Sequence, residues 1–327
     1  MSEGGGLTVL DGTAVRAIDP AISDSDTPLS GAHLLGLADS LASSALLGLS
    51  LPQSLKSSAL NRLHLDDAIA FHQSLLDPPQ AASFLRQYLS AIADELNDDP
   101  LVVSILDGNA LRLFLEDEDD FAMLAENLFT DLDVEDKGKI SRREIRNALV
   151  HMGVEMGVPP FSEFPLLNDI IKKHGADEGG ELGQAQFAQL LQPILQELAD
   201  TLSVKRILVI QNLKIINGSK LRKLLADEKK LDDVVESILR EEHNGVDAQQ
   251  STQLIRGFLE KKGRELGLPP LEANEAVVLL YDAVFAEIDN KKSGELEKAE
   301  FAVLVKEILQ KFAEQLEANP IFHDLEN

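Results

Sequence analysis

The chain has 327 residues, enough for two or three compact cores. Its 30 Lys and Arg against 56 Asp and Glu give a net charge of -26, which repels phosphate backbones and anionic lipid, so neither nucleic acid nor a membrane is expected as a partner. There is no cysteine, which excludes disulfides, thiolate metal sites and cysteine nucleophiles.

In chain order, the opening MSEGGG has no basic segment followed by an apolar one, and no Gly at position 2. Neither secretion nor myristoylation is signalled, so a soluble cytoplasmic or nuclear protein is expected. LTVLDGTAVR (Leu7 to Arg16) is the first recognisable motif. The most apolar stretch, Leu34 to Leu51, is about the length of a membrane span but carries Asp39 and several serines, and it reads as helix. His64 and His72, eight apart beside Asp66 and Asp67, are the nearest approach to a zinc pattern, and they read as surface histidines. Residues 1–99 are expected to form a diverged helical unit without an ion loop.

From residue 100 the chain repeats itself. Asp107 to Leu128 (DGNALRLFLEDEDDFAMLAENL) aligns without a gap to Asn217 to Ile238 (NGSKLRKLLADEKKLDDVVESI), at a constant offset of 110. The same offset carries Asn147 to Pro160 onto Gly257 to Pro270. VSILDGNALR (Val103 to Arg112) echoes Leu7 to Arg16, while ADELNDDP (Ala93 to Pro100), ADTL (Ala199 to Leu202) and AEQLEANP (Ala313 to Pro320) mark the joints. The chain therefore divides into three units, 1–99, 100–203 and 204–327.

Periodicity within the later units is helical. Phe121, Leu124, Leu128, Phe129 and Leu132 recur at three and four, as do Val277, Leu280, Val284, Phe285 and Ile288, which is the spacing of one buried helix face. The acidic run Glu116 to Asp120 reads as an exposed helix start favoured by the dipole. With strand signals nearly absent, the expected class is all-α, helix-loop-helix units in tandem pairs, with only short β contacts between loops.

Two loops carry the chemistry. DVEDKGKISRRE (Asp133 to Glu144) supplies oxygens from Asp133 at position 1, Glu135 at 3, the Lys139 carbonyl at 7, Ser141 at 9 and Glu144 at 12, around Gly138 and Ile140. DNKKSGELEKAE (Asp289 to Glu300) supplies Asp289, Ser293, the Glu295 carbonyl, Glu297 and Glu300. Each loop has a lysine where an oxygen is needed, Lys137 at position 5 and Lys291 at position 3. An ammonium held about 4 Å from the ion would cost roughly 4 kcal/mol and abolish binding, but the long stem of Lys137 lets the charge swing into water, so weakened binding rather than none is expected. Hard oxygen donors at this spacing suit calcium, with magnesium competing and affinities on the order of micromolar to tens of micromolar. GADEGGELGQAQ (Gly175 to Gln186) and HNGVDAQQSTQL (His243 to Leu254) lack the terminal carboxylates and read as degenerate partner loops, 175–186 for 133–144 and 243–254 for 289–300.

These loops and flanking helices, from Phe121 onward, resemble the EF-hand superfamily. The long form with degenerate hands and an extra N-terminal unit is similar to plant EF-hand calcium sensors, including a type that binds and inhibits sucrose-non-fermenting-related protein kinases. That resemblance implies a non-enzymatic calcium sensor whose helices shift on binding and regulate a protein partner, with a protein kinase as one such partner. The competing expectation is a calcium-independent helical scaffold with relic loops. No HExxH, no nucleophile with its base and no phosphate loop emerges from the residues, so an enzyme is not expected.

Overall fold

The computed structural model describes residues 7–20, 27–65, 68–240, 248–272, 275–289 and 297–324. The chain is mostly helical, with a few small sheets. Its first 100 residues give β1 (Leu7–Leu10), α1 (Thr13–Arg16), β2 (Leu29–Ser30), α2 (Gly31–Ala45), α3 (Gln53–Arg62), α4 (Ala68–Gln73), β3 (Leu75–Leu76) and α5 (Pro78–Asp98). The middle of the chain gives β4 (Leu101–Leu106), α6 (Asn109–Glu116), α7 (Glu118–Leu132), β5 (Ile140–Ser141), α8 (Ile145–Met152), α9 (Leu166–Lys173), β6 (Glu181–Leu182), α10 (Gln184–Val204) and β7 (Ile207–Ile210). The last part gives β8 (Leu213–Ile216), α11 (Ser219–Ala226), α12 (Glu228–Arg240), α13 (Ala248–Leu266), α14 (Glu275–Asp289), α15 (Lys298–Ala318) and β9 (Ile321–Asp324).

The strands correct the expectation that β structure is confined to the loops. β1, β4 and β7 form a three-stranded sheet with β4 in the middle, and β4 runs antiparallel to β7 with Val103 opposite Ile210 and Leu106 opposite Ile207. β8 and β9 form a separate antiparallel pair, Leu213 opposite Asp324 and Ile216 opposite Ile321. These runs (LVVSIL, ILVI, LKII) are rich in β-branched residues and too short to bury a helical face, so they pair instead.

The internal repeat is physical as well as textual. In each copy a strand is followed by Asp-Gly or Asn-Gly, and the side chain of the first of these residues accepts from the first amide of the helix that follows. Asp11 Oδ1 accepts from the Thr13 amide at 2.9 Å, Asp107 Oδ1 from Asn109 at 3.0 Å and Asn217 Oδ1 from Ser219 at 3.1 Å. The glycine lies against the 21-residue helix that closes its copy, α5, α10 or α15. A β-carbon there would come within 1.9 Å of the Ala93 carbonyl oxygen at Gly12, 2.2 Å of Ala199 at Gly108 and 2.7 Å of Ala313 at Gly218. Four residues on, an arginine clamps the same helix: Arg16 on Asp94 at 2.6 Å, Arg112 on Asp200 at 3.1 Å, and Arg222 on Glu317 at 2.7 and 2.9 Å. The repeated ADEL, ADTL and AEQL segments are therefore the receiving surface for the repeated strand-turn-helix corner.

Contacts group the chain into two compact units, each discontinuous in sequence. The first holds residues 1–10, 39–51 and 102–211, and the second holds 11–38, 52–101 and 212–327. In the first, Phe121, Leu128, Phe129, Ile145, Leu149, Phe187 and Leu191 belong to one buried cluster. In the second, Val235, Ile238, Tyr281, Phe285, Leu304 and Phe312 do the same, with Tyr281 and Phe312 edge to face at 4.8 Å. The helix faces read from periodicity are the ones buried, except that Leu132 and Leu280 are only partly covered.

Within the second unit, Asp98 at the end of α5 receives Arg62 of α3 and Lys223 of α11. Burial pushes the Asp98 carboxyl up, but hydrogen bonds and charges from Lys223 and Arg62 outweigh it and hold it below the usual carboxylate range. A depressed folded value means the stabilisation is complete above the unfolded value of about 3.9 and is lost as pH falls through the folded one. The melting temperature should therefore fall less steeply with acid in Asp98→Asn than in the parent chain below about pH 4. Parallel slopes in a calorimetric pH series would count against this cluster as an acid-labile clamp. Among the described residues, no helix is long and apolar enough to cross a membrane.

Candidate functional site

The loop at 133–144 begins where α7 stops. Asp133 closes that helix, its amide donating to the Phe129 carbonyl at 2.9 Å, and its carboxylate then turns inward. Oδ1 accepts from the Lys137 amide at 3.0 Å and Oδ2 from the Gly138 amide at 2.7 Å. Two residues here have left-handed backbone, Asp136 (φ 50°) and Gly138 (φ 68°). Asp tolerates that region and Gly occupies it freely, so DKG can make the tight bend that brings both amides to one carboxylate.

Beyond the bend, Ile140 and Ser141 form β5, which runs antiparallel to β6, with Ile140 opposite Leu182 and Ser141 opposite Glu181. The two apolar residues are buried, and the Arg142 amide donates to the Gly180 carbonyl at 3.0 Å, extending the contact between the loops. Behind them Phe129 of α7 and Phe187 of α10 meet edge to face at 5.8 Å, which seats both loops on one core. A short 3-10 turn, Arg142–Glu144, leads into α8. Glu144 Oε2 accepts from Asn147 Nδ2 at 2.6 Å, within the same helical segment.

The Lys137 ammonium pairs with Glu135 Oε2, both side chains remaining largely exposed. The position-3 and position-5 side chains are therefore engaged with each other. Among the described residues, no group of three or more His, Asp or Glu side chains converges as a metal ion would require. Asp133, Glu135 and Glu144 share one loop, but each carboxylate faces a different partner: backbone amides, an ammonium and a side-chain amide.

The partner loop at 175–186 has Gly175 (φ 68°) and Gly180 (φ 131°) at its bends, and Gln186 at its end accepts from the Gly183 amide at 3.1 Å. His174, just before it, and Lys173 both bond Glu197 of α10 at 2.8 Å. The Lys173 hydrogen bond, acting against burial and joined by His174, holds the Glu197 carboxyl below its ordinary value.

Asp289 is the last residue of α14, and residues 290–296, with Lys291, Ser293 and Glu295, lie outside the described residues. Glu297 precedes α15, and Glu300 in its first turn accepts from the Glu297 amide at 3.1 Å, which ties these two positions together at a helix start. Opposite this loop by sequence, residues 248–254 are not loop. They form the first turns of α13, because AQQSTQL contains good helix formers and no glycine, while 243–247 lie outside the described residues.

The oxygen-only donors of the 133–144 loop are of the kind calcium or magnesium accepts. Asp133 is already oriented by two amides, and position 7 offers a backbone carbonyl that needs no rearrangement of a side chain. Two features that sequence reasoning did not find, the Lys137–Glu135 pair and the Glu144–Asn147 bond, depend on rotamers and leave no mark in the motif. No protein-family model, no curated protein and no solved structure matches this chain.

Proposed function

We propose that the chain is a calcium-binding sensor that changes its helix packing when the 133–144 loop takes up an ion, and that it thereby regulates a protein partner. The observation that carries this reading is the carboxylate of Asp133 gripping two amides at a glycine bend, in a loop laddered through Ile140 to a second loop. Asp133, Glu135, the Lys139 carbonyl, Ser141 and Glu144 would hold the ion. Asp289, Ser293, the Glu295 carbonyl, Glu297 and Glu300 would serve in the second loop. Calcium would supply a divalent charge that lets carboxylates otherwise repelling one another share a centre.

The rest is the work of the chain. Glu144 is bonded to Asn147 in the first turn of α8, so recruiting it to the loop pulls on that helix. β5 and β6 couple the movement to the 175–186 loop, and the Phe129 and Phe187 contact carries it to α7 and α10. A regulatory partner fits this arrangement better than a substrate does, and the EF-hand resemblance points to a protein kinase among the possibilities.

One observation favours a second reading, a calcium-independent scaffold: the described carboxylates do not converge into a metal-holding group. Calorimetric titration of calcium into chelator-stripped protein, with millimolar magnesium present, separates the two. One or two ions per chain, with the heat lost when Glu144→Gln and Glu300→Gln are combined, is the expected result. Absence of heat in the parent chain would replace the sensor with the scaffold.

A further inference from the structure

Lys137 sits at the centre of the 133–144 loop. Its amide bonds Asp133, its ammonium pairs with Glu135, and it lies between the two residues with left-handed backbone, Asp136 and Gly138. One residue thus engages the side chains at positions 1 and 3, and it occupies position 5 itself. The loop carries four carboxylates, Asp133, Glu135, Asp136 and Glu144, against the four cations Lys137, Lys139, Arg142 and Arg143, and of these cations Lys137 is the one paired with a carboxylate at a liganding position. The ammonium on Glu135 is thus a countercharge supplied from within the chain.

Resting on the calcium reading above, we propose that Lys137 is a tethered counter-cation that competes with a divalent ion for Glu135 and so sets the affinity of the site. The ion does not meet a loop of free carboxylates; it must displace an amine held at high effective concentration by two residues of backbone. Loss of the Lys137 charge removes both that competitor and the repulsion between ammonium and ion. Affinity therefore rises when the charge is removed, whereas a Lys137 that only braced the loop would lower it on removal. An arginine at the position keeps the charge and the competition.

The test is calcium calorimetry on the full chain with Lys137→Gln, Lys137→Arg, Glu135→Gln and the double variant Lys137→Gln/Glu135→Gln, each carrying Glu300→Gln so that one loop is read. Lys137→Gln should bind calcium about tenfold more tightly than the parent, and Lys137→Arg within about twofold of it. In the Glu135→Gln background the gain from Lys137→Gln should shrink, because the contact through which the two compete has gone. An unchanged or weakened affinity in Lys137→Gln, with calcium still bound by the parent, overturns the proposal and leaves the sensor reading standing. A gain of equal size in both backgrounds also overturns it, since the effect would then be general electrostatics and not competition for Glu135. If no variant binds calcium, the sensor reading fails, and the proposal fails with it.

Discussion

Gly108→Ala is expected to lower the stability of the chain by about 2–4 kcal/mol, read as a fall of roughly 5–15 °C in melting temperature. Two costs combine at this position. The residue has φ of 83°, where an L side chain is strained, and its β-carbon would lie 2.2 Å from the Ala199 carbonyl oxygen. The clash is with backbone, so no change of side chain on α10 relieves it; the corner from β4 to α6 must lift off the helix. Lifting it also loosens Arg112 from Asp200. Gly257→Ala in α13 is the control, because nothing lies within 4 Å of the new methyl group, and a helical glycine replaced by alanine gains about 0.5–1 kcal/mol. A Gly108→Ala protein that melts with the parent would show that corner and helix do not approach as described.

Phe187→Ala should cost about 3–5 kcal/mol, the range for removing a fully buried phenylalanine. The ring is 0% exposed, lies in the first turn of α10 one residue after the 175–186 loop, and meets Phe129 edge to face. Its removal leaves a cavity beneath the two loops and strips Phe129 of its ring partner. Phe322→Ala in β9 is the comparison: that ring is 41% exposed, and its loss should cost under about 1 kcal/mol. Denaturant midpoints for the two variants give the contrast directly, and similar shifts would mean that Phe187 is not a core residue. The same cavity should weaken calcium binding if loop and core are coupled as proposed.

Much of this arrangement is legible before any coordinates. Gly108 and Gly218 stand at the offset of 110, and the alanines they meet, Ala199 and Ala313, at 114, because four more residues lie between corner and receiving helix in the last copy while the contact itself is kept. Phe121, Leu124, Leu128 and Phe129 are buried as their spacing requires, and Ile140 meets Leu182 because the apolar eighth positions of facing loops turn together onto one core. The strands are harder to read. ILVI and LKII are four residues each, too short for a period of two to be told from the fraying end of a helix. The Asp-Gly and Asn-Gly steps that come after β4 and β8 are the signal that would have found those two strands, whereas β7 is followed by Gln211 and Asn212 and carries no such step. The loops read less well than the helices for a different reason: a liganding position is a statement about where oxygen can be, while Lys137 and Asn147 decide where it is.

β4 opens the second copy of the repeat, yet it is paired on one side with β1 and on the other with β7. A cut at Pro100 would therefore not release a finished domain. It would strip β1 from the sheet and turn a six-residue central strand, with Val102 and Val103 fully buried in the whole chain, into an open edge. Such an edge offers unpaired amides and carbonyls to any strand that approaches, including the β4 of another fragment. Pieces begun at residue 100 would tend to self-associate through that edge, whereas a fragment that retains Leu7–Leu10 keeps the sheet capped by its own chain.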